Sequence, residues 1–333
     1  MNPRLTAAAT ADDRESDLNA EFAADVRSHL AMTPRRLPSR YLYDALGSAL
    51  FDAICELPWY RITRAEMRVL AEHAPKIWAA ISPLDRIIEL GAGDGRKLAA
   101  LLSARPRGLA PLRIDLVDVS ETALESAARA VSGMAGTRVL THRATYESGL
   151  EAAAGRAPRG RALVLFLGSN IGNFEPPAAN ALLRDISRCL RPGDALLLGA
   201  DLVKPERDLI LAYDDPLGVT AAFNLNLLVR MNRELGASFD PACFMHRAIW
   251  NAGNSRVEMH LISRCEQVVR IPAADIELDL RAEESIWTES SYKYRSDEVL
   301  SMVERAGFAA TGHWRDTQAG FSLTLCELRR ALA

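Results

Sequence analysis

Between Arg86 and Lys97 the chain reads R-I-I-E-L-G-A-G-D-G-R-K. Gly91, Gly93 and Gly95 alternate, and Glu89 stands two residues before the first of them. Glycine permits positive φ and lets backbone approach a ligand with no Cβ in the way. A short apolar strand (Ile87, Ile88, Leu90) that ends in such a turn and opens a helix near Arg96 is suited to hold a nucleotide. The spacing departs from the dinucleotide fingerprint G-x-G-x-x-G because position 96 is Arg, which disfavours a nicotinamide dehydrogenase. Asp118 follows Gly91 by 27 residues, room for one helix and a loop. An acid at the end of a second strand can accept both ribose hydroxyls of a nucleoside. A third polar turn, G-S-N-I-G-N-F at Gly168–Phe174, follows the apolar run A-L-V-L-F-L.

These residues need a frame to bring them together. The pattern from Arg86 onward predicts strands at Arg86–Leu90, Arg113–Val119, Arg138–His142, Ala162–Leu167 and Ala195–Gly199, with helices between them. Near-continuous apolar strands separated by helices mean a parallel sheet covered on both faces. Ligands in such sheets sit at the carboxyl ends of the strands. Gly91–Gly95, Asp118 and Gly168–Asn173 all fall at that edge, and their convergence says more than any one motif.

The flanking segments break the alternation. Residues 1–16 read as a frayed tail, followed by an amphipathic helix from Leu18 to Met32 that Pro34 ends. An aromatic-rich stretch, Ser39–Tyr60, holds a helix at Ala45–Leu57, and its tyrosines suit either a core or a lid over a substrate. T-R-A-E at Thr63–Glu66 fits a helix start, with Thr63 as N-cap and Glu66 as its capping-box partner. After the fifth strand, helices are expected at Lys204–Asp214 and Gly218–Leu235, then strands at Arg247–Trp250, Ser255–Ile262 and Gln267–Arg270. Trp287–Arg295 is extended, and its alternation puts Glu289, Ser291 and Lys293 on one face. A helix at Ser296–Phe308 and a hairpin of Thr311–Arg315 with Phe321–Leu328 close the chain.

Composition bounds the function. The chain has 333 residues, a formal net charge of −3 and interspersed charges, which argues against a general nucleic-acid or membrane-surface binder. The five cysteines are scattered without C-x-x-C, and the six histidines lack metal-ligand spacing, so reduced thiols, a cytoplasmic setting and no metal are expected. No apolar signal region and no 18-residue apolar run is visible. A small-molecule substrate and a monomer are expected.

E-x-G-x-G-x-G resembles motif I of the class I S-adenosylmethionine (SAM) methyltransferases. The resemblance sharpens over Y-L-Y-D-A-L-G-S-A-L-F-D, L-P-W-Y-R-I-T-R-A-E, E-L-G-A-G-D-G-R-K, F-L-G-S-N-I-G-N-F, L-L-L-G-A-D-L-V-K, A-Y-D-D-P-L-G-V-T-A-A-F-N and T-E-S-S-Y-K-Y-R. In order from about residue 20 to residue 330, these motifs look like the L-histidine Nα-methyltransferases of the ergothioneine pathway. That family converts L-histidine to its trimethylbetaine, hercynine, with three molecules of SAM.

The resemblance implies a Rossmann-like class I sheet with a terminal antiparallel hairpin (64–202 and 294–333) and a second α+β substrate-binding or lid domain (17–63 and 203–293). It implies SAM contacts at Gly91, Lys97, Asp118, Thr145, Tyr146 and Gly168. It implies histidine contacts at Tyr60, Asn173, Tyr213, Met259, Glu289 and Ser291, with Tyr43 beside the amine and Tyr43 and Asn173 as the catalytic pair. Asn173 and Tyr213 would hold the carboxylate, and Glu289 and Ser291 the imidazole. The chain departs from the family at Thr145-Tyr146, where an Asp-Phe contacts the adenine, and at Tyr60-Arg61-Ile62, where Tyr-Tyr-Pro is usual. Alternatives are a methyltransferase for another amino acid or small amine, and a SAM-binding sensor without turnover.

Overall fold

The computed structural model describes residues 11–134, 136–154 and 160–329. Three helices come first: α1 (Ala11–Leu30), α2 (Ala45–Glu56) and α3 (Ile62–Ile81). The alternating region follows: β1 (Arg86–Leu90), α4 (Arg96–Ser103), β2 (Leu112–Asp118), α5 (Glu121–Val131), β3 (Thr137–Arg143), α6 (Tyr146–Ala154), β4 (Ala162–Phe166), α7 (Pro176–Cys189) and β5 (Ala195–Asp201). Next come α8 (Glu206–Tyr213), α9 (Val219–Leu235), β6 (Phe244–Asn251), β7 (Arg256–Ser263), β8 (Gln267–Ile271), β9 (Ile276–Leu280) and β10 (Ser285–Tyr292). The chain ends with α10 (Ser296–Arg305), β11 (Phe308–Asp316) and β12 (Phe321–Leu328).

Seven strands form one sheet in the order β11-β12-β5-β4-β1-β2-β3. Strands β1 to β5 are parallel, β12 runs antiparallel to β5, and β11 antiparallel to β12. Every residue of β1, β4 and β5 is buried, as expected of central strands covered on both faces. Side chains of α3, α4 and α5, such as Ile77, Leu101 and Leu124, cover one face. Those of α6, α7 and α10, such as Leu150, Leu183 and Val303, cover the other. This is the sheet, with its terminal antiparallel hairpin, that the resemblance implies.

A third core joins Phe22, Val26, Tyr41 and Ile54 near the N-terminus to Leu209, Phe223, Leu227, Leu261 and Ile286. It is built on α9 and a second, antiparallel sheet of order β10-β7-β6, with β8 and β9 as a separate pair. The second sheet reaches the first beside the turn after β4. The Tyr294 hydroxyl donates to the Ile171 carbonyl at 3.1 Å. A Cβ at Gly172 would lie 2.7 Å from the Tyr292 carbonyl oxygen, so only glycine allows this approach.

Four sequence expectations need correction. The first helix begins at Ala11 rather than Leu18. The rest of the proposed tail, residues 1–10, lies outside the described residues. Thr63 is not an N-cap: α3 already starts at Ile62 behind Arg61, and Glu66 is turned inward. The run I-E-L-D-L at Ile276–Leu280 alternates like a strand and is one, β9, which the sequence reading passed over. Finally, α10 ends at Arg305 rather than Phe308, because Gly307 at φ +94° turns the chain and Phe308 opens β11.

Candidate active site

The carboxyl edge of the parallel sheet opens into a cavity of about 860 Å³. A smaller pocket of about 30 Å³ adjoins it, and Tyr43, Phe51, Tyr60, Gly168, Asn170, Asn173 and Glu289 line both. The loops after β1, β2, β3 and β4 bring Gly91, Asp118, Thr145, Tyr146 and Gly168 to the large cavity, and α4 brings Lys97. Met259, Tyr213 and Ser291 line the small pocket from β7, α8 and β10. All thirteen residues singled out in the sequence therefore line one or both of these adjoining pockets.

The floor is backbone. Gly91 has φ +80°, and a Cβ there would lie 2.4 Å from the Asn170 amide nitrogen and 3.2 Å from the Tyr146 hydroxyl. Gly168 has φ +75°, and its Cβ would lie 2.8 Å from the Lys97 ammonium. These two glycines keep a narrow slot open between the first and fourth loops. Asp118 accepts from the Ser120 amide at 2.9 Å and, more loosely, from the Gly93 amide at 3.4 Å. Burial nonetheless raises its carboxyl above the usual aspartate range. Tyr146 stands on edge against Phe166, with ring centroids 5.3 Å apart. Thr145 is exposed, its hydroxyl 3.0 Å from that of Ser148.

Two buried acids stand behind this floor. Glu89 is pushed up to about 8 by burial, against the pull of the Lys97 ammonium, and one of its carboxyl oxygens has no hydrogen-bond partner. Glu66 is fully buried, pairs with Lys97 at 2.8 Å and accepts from the Gly168 amide at 2.9 and 3.0 Å. One carboxylate thus ties α3, α4 and the fourth loop together. A slot of glycine backbone, a strand-end acid, an orphaned carboxyl oxygen and an aromatic edge fit a nucleoside that carries a charged amino-acid tail.

The other end of the space is aromatic and charged. The rings of Tyr43 and Tyr60 stand edge-on to Phe51 at 5.5 and 6.1 Å, and Tyr60 stands edge-on to Tyr213 at 6.2 Å. Burial raises the hydroxyls of Tyr43, Tyr60 and Tyr213 above the usual phenol range, so all three are neutral at physiological pH. Glu289 lies across from Met259 on β7, and burial pushes its carboxyl up to about 7 while Lys293 pulls it down. The Tyr213 and Ser291 hydroxyls lie 2.7 Å apart, and the Lys293 ammonium donates to both, at 2.7 and 2.8 Å.

Sequence reasoning missed Glu66, Asn170 and Lys293. Glu66 was hidden by its fit to a capping box. Asn170 lies inside the G-S-N-I-G-N-F turn and shows its role only through the space that Gly91 leaves. Lys293 was visible in the period of two that aligns it with Glu289 and Ser291. Among the described residues no cluster of three or more His, Cys, Asp or Glu is arranged to hold a metal ion, and no helix is long and apolar enough to cross a membrane.

Known proteins resemble this chain in sequence. The family model described as "Histidine-specific methyltransferase, SAM-dependent" matches residues 22–328. Histidine N-alpha-methyltransferase of Mycolicibacterium smegmatis is 42% identical over 90% of this chain and 93% of its own length. Its counterpart in Mycobacterium tuberculosis is 40% identical over the same shares. Ergothioneine biosynthesis protein 1 of Neurospora crassa is 30% identical over 84% of this chain, which spans 32% of that longer protein. From its sheet, its glycine-floored cavity and a match across nearly the whole chain, the protein belongs to the histidine-specific, SAM-dependent methyltransferase family.

Proposed function

We propose that the protein methylates the α-amino group of L-histidine three times, with SAM as donor, and so makes hercynine for ergothioneine biosynthesis. The observation that carries this reading is the pair of adjoining cavities. A nucleoside-sized space with a glycine floor meets a small pocket walled by Tyr43, Tyr60, Asn173, Tyr213, Met259, Glu289 and Ser291. On this reading Gly91, Lys97, Asp118, Thr145, Tyr146 and Gly168 hold SAM, which supplies an electrophilic methyl group on sulfur. Residues 17–63 and 203–293 act as the substrate-binding unit, and the working form is a cytoplasmic monomer.

The chain's own residues then have three tasks. Asn173 and Tyr213 receive the α-carboxylate, one offering amide donors and the other a neutral hydroxyl. Glu289 and Ser291 grip the imidazole nitrogens, and a carboxylate raised to about 7 by burial gains more from such a donor than an exposed one would. Tyr43 lies beside the amine. Its raised titration range makes it a neutral phenol whose oxygen accepts a hydrogen bond rather than a phenolate that takes a proton. Aiming the amine in this way lowers the entropic part of the barrier. Repeated transfer needs space around the nitrogen, and the large cavity supplies it next to Tyr43, Asn173 and Glu289.

The test is competition. The purified protein is incubated with SAM and an equimolar mixture of the twenty amino acids, and products are read by mass. Trimethylated histidine as the dominant product supports the reading. Methylation of a different amino acid overturns it, as does SAM binding without any product.

A further inference from the structure

Lys293 is one of the largest fully buried side chains of the protein, and the reaction just described does not use it. Its ammonium has three hydrogens and three acceptors: the Tyr213 hydroxyl at 2.7 Å, the Ser291 hydroxyl at 2.8 Å and Asp201 at 3.0 Å. Burial opposes the charge, but Tyr213 and Asp201 outweigh it, and the amine titrates above the usual lysine range. The second oxygen of Asp201 is held by Lys204 at 2.6 Å. Two ammonium groups therefore share one buried carboxylate, and the cluster carries a net positive charge directly behind Tyr213 and Ser291.

Proton counting adds a second consequence. Lys293 donates to both hydroxyl oxygens, and one of the two hydroxyls donates to the other. Of the pair's two hydroxyl hydrogens, one is thus consumed and one is left for the pocket. Glu289 lies on the same strand face and lines both cavities. The pocket is polarised, with the positive cluster behind Tyr213 and the carboxyl group of Glu289 beside it.

We propose that Lys293, charged through the Asp201–Lys204 cluster, is a positioning residue that makes the site select substrates bearing an α-carboxylate. It acts through Tyr213, by fixing the direction of its hydroxyl, with Ser291 as the second hydroxyl on the ammonium, and by placing a positive charge behind it. This inference rests on the reading of the pocket as an amino-acid site and names what gives it that selectivity.

The experiment compares L-histidine with histamine, the same molecule without its carboxylate, in the wild type and in Lys293→Met. The substitution leaves Asp201 paired with Lys204, so no buried carboxylate is stranded. The preference for histidine over histamine in kcat/KM is expected to shrink about 10- to 100-fold, the worth of a charge-assisted hydrogen bond, mostly through KM for histidine. SAM affinity should stay within about twofold, and Lys293→Arg should restore part of the preference. An unchanged preference in a folded Lys293→Met overturns the proposal and leaves the histidine reading intact. If that variant does not fold, Lys204→Gln, which removes the cluster's surplus charge at a less buried position, should lower the preference several-fold; no change there overturns the proposal equally. A wild type that methylates no α-amino acid overturns the histidine reading and this proposal with it.

Discussion

Replacing Glu289 with Gln should weaken substrate binding and stabilise the fold at the same time. The carboxyl lies at about 7 because burial penalises its charged form, while a glutamate in the unfolded chain titrates near 4.5. The folded-state value is the higher one, so the folded protein holds an extra proton between these limits. The stability associated with Glu289 is present in full below the unfolded value and is lost as pH rises through about 7. The gap corresponds to about 3 kcal/mol at pH 8 and to less than about 1 kcal/mol at pH 5. Glutamine has the same shape and no charge to bury. Urea unfolding at the two pH values should show Glu289→Gln more stable than the wild type at pH 8, by up to that amount, and nearly level with it at pH 5. In turnover assays the same variant should raise KM for histidine about 10- to 100-fold, with SAM affinity unchanged. Equal stability at pH 8 would refute the argument that Glu289 is held desolvated. An unchanged KM would remove it from the substrate pocket.

Three further substitutions probe the cofactor end. Gly91→Ala puts a Cβ within 2.4 Å of the Asn170 amide at a φ of +80°; it should cost about 1–3 kcal/mol of stability and weaken SAM binding by tenfold or more, read by calorimetry. Glu66→Gln removes the buried partner of Lys97 and loosens the Gly168 turn; denaturation should show a loss of about 2 kcal/mol, with weaker SAM binding and little change in KM for histidine. Thr145→Asp adds the carboxylate that the sequence resemblance implies at the adenine, at a position exposed in this structure; SAM affinity should rise about three- to tenfold, and an unchanged affinity would show that Thr145 does not face the ring.

The parallel sheet was legible because each strand is a compact apolar run bounded by turn residues. Arg86–Leu90 folds as the strand its sequence predicts, and the other four differ by only one or two residues at their ends. The gathering of Gly91, Asp118 and Gly168–Asn173 at one edge followed from the same logic, since a parallel sheet gathers the loops after its strands; the other site positions were named only through the family resemblance. What the sequence concealed were pairings across long separations. Nothing local to T-R-A-E distinguishes a helix-capping glutamate from one that reaches Lys97 and Gly168, 31 and 102 residues away. Lys293 directly follows the polar strand that carries Ser291, and only the approach of Asp201 and Tyr213 makes it a buried cation. The start of α1 escaped because a run of small and acidic residues has no apolar period to read.

The most direct test of the account is the position and number of methyl groups on histidine treated with excess SAM. Mass and proton NMR of the end product should show three equivalent methyl groups on the α-nitrogen, an unmodified imidazole, and three molecules of S-adenosylhomocysteine per histidine consumed. Methylation of a ring nitrogen, or a reaction that halts with one methyl group, would contradict the orientation assigned to Glu289, Tyr213 and Asn173.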